Sequence, residues 1–353
     1  MTHFAVDKRP LRLLISSYDF PPIPYDLAEA FNRVNVEVFL LITSYGTEPA
    51  FYRFVIKRVN KFLRHFRFMT GKAISFFEKH PDDRGNWLNR CLEEACGSFH
   101  PDIVLFVHGH HYGEAILERL KIKKIAWHIE PDDFDKLHLE AAPFDIYTSF
   151  SSTTVERLHK TGKETAYLCH GVNVNAFYPL PETPKLYDLC FVGNWSPWRE
   201  QVLQTILTVT QKVALYGPTW KRKTSIPRRL FKKIFQGEKI EGAALNLLYN
   251  QSKVVLNAQR ERQANGLNMR YFEVTAAQAC LLTDPVAELE RHFTPDEHLC
   301  VYKNCDELVQ TLQNLLVNDK LLSAIARKGY QKVVDNYTND HFVQKLLYLT
   351  NSK

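Results

Sequence analysis

One stretch constrains the fold more than any other. Residues 248–284 read LYNQSKVVLNAQRERQANGLNMRYFEVTAAQACLLTD. Val254-Val255-Leu256 is a short β-branched apolar run, of the kind that forms a buried parallel strand. Residues 257–265 are polar and carry Arg260, Glu261 and Arg262. Gly266-Leu267-Asn268 then opens a helix from about residue 269 to 279, and residues 280–283 make the next strand. A helix that begins at the C-terminal end of a strand aims free N–H groups at the crevice outside the sheet, a place that suits a diphosphate. Arg260, Arg262 and Arg270 would add charge-assisted bonds. Glu273, about one helical turn after Arg270, only accepts hydrogen bonds when ionised and suits the two hydroxyls of a ribose. Taken alone, Arg270 and Glu273 fit a plain i,i+3 helix pair equally well.

The same alternation recurs along the chain. Residues 11–16, 36–42, 101–107, 124–127, 146–149 and 165–169 read as strands, with helices at 25–32 and 87–98 between them. Pro179, Pro181 and Pro184 read as a linker. A second run starts with strands at 189–192 and 213–216. Helices are read at 245–250, 306–318, 320–336 and 339–349. Two α/β domains are therefore expected, each a Rossmann-like, doubly wound sheet, with a cleft between them.

Ligands of such sheets sit at the carboxyl ends of the strands. Three sets of residues lie there. His108, His110 and His111 end one strand, and His128, Glu130, Asp132 and Asp133 end the next. Histidines at i,i+2 on a strand end do not make a defined ligand set without partners, so no metal is expected. Gly193-Asn194-Trp195 ends the first strand of the second half and precedes a helix carrying Arg199, a turn that again suits phosphate.

These segments together resemble the GT-B glycosyltransferases, and most closely the CgeB-like, or spore-maturation-type, branch. LYNQSKVVLN, GLNMRYFE and LLTD stand in register with that branch's signature. IAWHIEPDD and CHGVNVNAFYPL resemble segments of its N-terminal domain, with Asn173 where an aspartate is usual. The resemblance implies an N-terminal acceptor-side domain (1–178), a C-terminal nucleotide-sugar-binding domain (179–338) and a last helix (339–353) that crosses back to the first. It implies that Glu273 holds the ribose, that Arg199 meets the diphosphate and that His128 lies near the donor sugar. Gly193, Asn194, Arg260, Asn265, Gly266, Leu267, Asn268 and Arg270 complete the expected donor site. Retaining relatives carry a second glutamate eight positions before the ribose glutamate; here that place holds Asn265. The first βα loop has three prolines and no glycine, where many relatives have a glycine-rich loop.

The expected reaction is transfer of a sugar from a UDP-, GDP- or TDP-sugar to an unidentified acceptor (glycan, lipid-linked, protein or small molecule), with no metal and no other cofactor. Retention is favoured over inversion; if retaining, the leaving phosphate itself can take the acceptor proton and no protein base is needed. For inversion a base is needed, and His128, Asp132, Asp133 and His110 are the candidates. Two alternatives stay open: a sugar- or nucleotide-binding module without turnover, for which Asn265 speaks, and a transferase acting on DNA bases.

Composition enters at two points. Seven scattered cysteines without paired spacing read as reduced thiols, and no run of about 18 apolar residues exists to span a bilayer. A cytoplasmic protein is expected. The second point is charge, +6 in all. In residues 51–79 apolar positions recur with a helical period, and seven Lys/Arg from Arg53 to Lys72 are interleaved with them; Glu78 is the one acid. Lys221 to Lys233 holds seven Lys/Arg and no acid. These segments read either as a solvated basic face and a solvated insertion loop, or as contacts with an anionic membrane at the inner face; nucleic acid is the lesser expectation.

Overall fold

Residues 9–18, 22–44, 46–65, 76–107, 112–129, 140–259 and 265–351 are described by the computed structural model. The apolar runs form twelve strands among these residues: β1 Leu11–Tyr18, β2 Val36–Thr43, β3 Ile103–Val107, β4 Lys123–His128, β5 Ile146–Ser149 and β6 Thr165–Tyr167, then β7 Tyr187–Val192, β8 Val213–Tyr216, β9 Phe235–Gly237, β10 Ser252–Asn257, β11 Cys280–Thr283 and β12 Cys300–Val301. They make two six-stranded sheets, ordered β2-β1-β3-β4-β5-β6 and β12-β11-β10-β7-β8-β9. Strand pairings in both sheets are parallel. Parallel strands need crossovers that bury both sheet faces, which is why β3 (IVLFV) is apolar and buried at every position. The expectation of two doubly wound α/β sheets holds.

The chain divides into two compact units: Met1–Ser149 with Thr153–Leu168, and Phe150–Ser152 with Cys169–Lys353. The first has its core around Leu14, Val104, Phe106 and Tyr147. The second builds its core from Phe191, Leu203, Trp220, Val254, Leu282 and Leu312. Each fully buried side chain of this size contributes about 1.5–3 kcal/mol.

The proline-rich stretch is fastened down, contrary to its reading as a linker. Tyr178 N–H and Leu180 N–H donate to the side-chain oxygens of Asn246 and Asn250, and Lys185 Nζ donates to the Asn250 and Ser252 carbonyls. The last helix, Asn339–Asn351, starts from a bridge between Val172 and Thr338 within the second unit. The basic stretch from Lys221 to Lys233 is not an insertion loop. It holds parts of two short helices, Trp220–Lys223 and Arg228–Ile234, anchored by Trp220, Ile226 and Ile234 in the core. β9 and β12 went unforeseen because three and two residues carry no readable period.

In each sheet the strand order reverses once. In the second unit the reversal lies between β7 and β10, which pair side by side but lead to opposite halves of the sheet. Crevices for ligands open outside the strand ends at such a point.

Candidate functional site

At the β7–β10 switch point two arginines reach across the strand ends. Arg270 opens the helix Arg270–Ala276. Its Nη2 donates to the Val192 carbonyl at the end of β7 (2.6 Å), and its Nη1 to Asn257 Oδ1 at the end of β10 (2.8 Å). Its guanidinium also stands near the Tyr249 phenol, which burial holds well above its usual pKa. Arg199 comes from the other side, on the helix Pro197–Leu207. Its Nε donates to the Ala258 carbonyl and its Nη1 to the Asn194 carbonyl. Two half-buried cations thus sit where the chain turns away from two adjacent strands, an arrangement suited to an anion.

Asn257 is a residue that the motif reading missed. It is fully buried, and its side-chain oxygen accepts from both Arg270 and Asn268 Nδ2. Among the described residues its buried Nδ2 makes no hydrogen bond of good geometry, its neighbour being the Tyr271 phenol, and a ligand oxygen could take it. Its position could have flagged it, since it is the last residue of LYNQSKVVLN and ends a strand beside the reversal.

The expected donor residues divide by what they do. Gly193 offers no amide of its own: its N–H donates to the Tyr216 carbonyl, and its carbonyl accepts from Trp220 Nε1. It is glycine for space, because a Cβ would lie 3.0 Å from the Phe191 ring. The backbone of Gly266 passes close to Phe150, Leu267 is a buried plug, and the Asn265 carbonyl accepts from the Glu288 N–H. These three shape the loop. Asn268 precedes the helix, its Oδ1 taking the Arg270 N–H. The next N–H groups, of Tyr271 and Phe272, go to the carbonyls of Asn268 and Met269. The expectation of free helix amides therefore fails for these three groups: the Asn268 side chain takes one and backbone carbonyls take the other two. Glu273 remains half-buried on that helix, one turn beyond Arg270. Arg260 and Arg262 lie outside the described residues.

The signature aspartate has a structural role. Asp284 comes directly after β11, is buried, and accepts from the Gln259 N–H and from Trp198 Nε1. It ties the loop after β10 to the Arg199 helix. Glu200, unnoticed in the sequence, does the same for the neighbouring turn. Burial raises its pKa, but hydrogen bonds from Trp195, Ser225 and Thr224 outweigh that and hold it below the usual value.

In the first unit His128 ends β4 and is buried, beside Ser149 of β5. Asp132, Asp133 and His110 lie outside the described residues. Among the described residues no cluster of His, Cys, Asp or Glu could hold a metal ion, and the seven cysteines are free thiols. A cavity of about 510 Å³ lined by Glu118, Lys121, Lys123 and Asp145 opens at the opposite, N-terminal ends of β4 and β5.

The fold is that of the GT-B glycosyltransferases. Sucrose-phosphate synthase from Thermosynechococcus elongatus superposes with a TM-score of 0.70 over 97% of this chain and 98% of its own, at 12% identity. HepE of Anabaena, solved with UDP-glucose, gives 0.65 over 97% of this chain and 100% of its own at 9% identity. AviGT4, a glycosyltransferase involved in avilamycin A biosynthesis, gives 0.63 over 96% of each chain at 15% identity. Residues 199–348 match the family model described as glycosyl transferase-like. No curated protein sequence matches the chain. The matched segment begins at Arg199 and takes in Asn257, Arg270, Glu273 and Asp284.

Proposed function

We propose that this chain is a glycosyltransferase of the CgeB-like kind that takes its sugar from a nucleotide-activated donor, without a metal ion. The observation behind this reading is the pair Arg270 and Arg199 at the β7–β10 switch point, with Glu273 one turn beyond Arg270. The two guanidiniums would neutralise the diphosphate, and the Asn257 amide would donate to one of its oxygens. Glu273 would accept from the ribose hydroxyls. UDP is the first nucleotide to try, since HepE was solved with UDP-glucose.

In a retaining reaction the bond from the sugar's anomeric carbon to the β-phosphate oxygen breaks as the acceptor oxygen bonds to that carbon. The acceptor proton passes to the departing phosphate, and no protein base is required. The cations act by stabilising charge that grows on that phosphate. Acceptor recognition is assigned to the first unit, His128 to a place near the donor sugar, and the site of action to the cytoplasm.

The test is incubation with UDP-, GDP- and TDP-glucose, following free nucleoside diphosphate, alongside thermal shifts with the same ligands. Release of one nucleoside diphosphate, even slowly onto water, is expected. Thermal stabilisation without release would favour a second reading, a binding module without turnover, to which Asn265 in the place of a glutamate points. No stabilisation by any nucleotide would end both readings.

A further inference from the structure

The segment after β2 turns the wrong way for a helix that packs on a core. It begins with a π-helical turn, Tyr52–Ile56, and continues as an α-helix, Lys57–His65. The sequence period placed Phe51, Val55, Val59 and Phe62 on the inner face. Ile56 is instead fully buried and Asn60 nearly so, while Phe54 is 58% and Phe62 57% exposed. Arg58, four residues from each of those rings, is exposed, and so is Lys61 next to Phe62. Arg53 lies over the Phe54 ring at 5.5 Å. Phe76, 69% exposed, is held beside the helix by its N–H, which donates to Asn60 Oδ1 at 3.0 Å. From Tyr52 to His65 there are five Lys/Arg and no acid.

We propose that this face of the first unit docks on an anionic lipid bilayer. A soluble surface helix presents cations to water and turns its large apolar groups inward. Here three phenylalanines and the cations share the outer side, and that combination matches one environment, an acidic headgroup layer above hydrocarbon. The cations are attracted to the phosphate layer, and the rings enter the boundary below it. The Asn60 bond to Phe76 N–H and the buried Ile56 fix the helix so that the rings stay outward. The segment lies between the C-terminal end of β2 and the helix Arg84–Phe99, whose first residue bonds Tyr18 at the end of β1. It therefore sits on the edge of the sheet where β4 ends in His128. An acceptor carried by the bilayer surface would meet that edge. The docking itself does not depend on the transferase reading, and its readout is separate.

The experiment is co-sedimentation of the full chain with phosphatidylcholine vesicles, with and without phosphatidylglycerol, at low and high salt. Two double variants accompany it, Arg58→Glu with Lys61→Glu and Phe54→Ser with Phe62→Ser, each checked for unchanged thermal unfolding. The wild type is expected to pellet with anionic vesicles at low salt and to be released by high salt, since exposed charges are screened within about 10 Å at 0.1 M. Reversing two cations should lower partitioning by more than about 30-fold, the value for losing the two charges alone, and the phenylalanine pair by at least about tenfold. A wild type left in the supernatant at low salt would overturn the proposal. So would a phenylalanine variant that pellets like wild type, since attachment would then be by charge alone. A single-stranded oligonucleotide that strips the protein from vesicles, held equally well by the phenylalanine variant, would make the face a nucleic-acid site instead.

Discussion

Arg270 does two things at one position. It bonds to the two strand ends at the switch point and, on the proposed function, brings the charge that meets the diphosphate. Arg270→Ala should therefore lower stability by about 1–3 kcal/mol in urea unfolding, because the Val192 carbonyl loses its side-chain donor and Asn257 Oδ1 loses one of its two. The same variant should weaken nucleoside diphosphate far more than nucleoside. Equal weakening of both ligands would show a purely structural arginine. Glu273 offers a cleaner separation. Glu273→Gln preserves its size and removes its charge, so the fold should survive. Nucleotide affinity should drop by roughly 1.5–3 kcal/mol, the usual range for hydrogen bonds to a charged group. Calorimetry with UDP on the folded variant would refute the ribose assignment by returning the wild-type constant.

At the scale of elements, the turns beside the switch point leave no room for side chains. Gly217, after β8, has φ of +150°, and a Cβ there would stand 1.9 Å from the Gly193 carbonyl oxygen. Gly266 approaches Phe150 so closely that a Cβ would meet the ring at 2.3 Å and the backbone oxygen at 2.6 Å. The rings and main chain involved are held by the surrounding core, so the strain cannot be relieved by one flexible side-chain tip. Gly217→Ala and Gly266→Ala should each cost at least about 1–3 kcal/mol, the range for overpacking and for strained backbone. Gly97, in the helix Arg84–Phe99, has nothing within 4 Å of such a Cβ. Gly97→Ala should stabilise by about 0.4–1 kcal/mol through lost chain entropy. Chemical unfolding of the three variants checks the ranking, and a destabilised Gly97→Ala would contradict it.

For the whole molecule, two buried histidines of the second unit should make the fold acid-sensitive. Burial lowers the pKa of His170 from 6.5 to about 4, and burial, then the charges of Arg291, Lys345 and Lys332, lower that of His292 to about 4. Both stay neutral in the fold at pH values where an unfolded chain would protonate them. Between pH 6.5 and 4 the unfolded state binds more protons, so stability is full above 6.5 and declines as the pH falls through that window. The loss could reach roughly 3 kcal/mol per histidine, at about 1.36 kcal/mol per pKa unit. Urea midpoints well above and well below pH 6.5 should differ accordingly. Histidine ring proton resonances that titrate near 6.5 for both residues would remove this explanation.

Ten of the strands, and the parallel two-sheet architecture they imply, were legible in the sequence because buried parallel strands are written as short uninterrupted apolar runs between helical stretches. Arg199, Arg270 and Glu273 were legible because motif spacing fixes which residues come after a strand end. The sequence could not say which backbone donors remain available, since Asn268 and the Tyr216 carbonyl take the Arg270 and Gly193 N–H groups through contacts set by the fold. It could not show that Asn257 anchors Arg270, because strands far apart in the chain become neighbours only when the sheet assembles. Nor could periodicity orient residues 51–65, where Ile56 and Asn60 are buried and Phe54 and Phe62 are exposed. Local pattern determined the elements and the residues at their ends; only tertiary packing decided which polar groups were consumed in holding the fold and which were left to act.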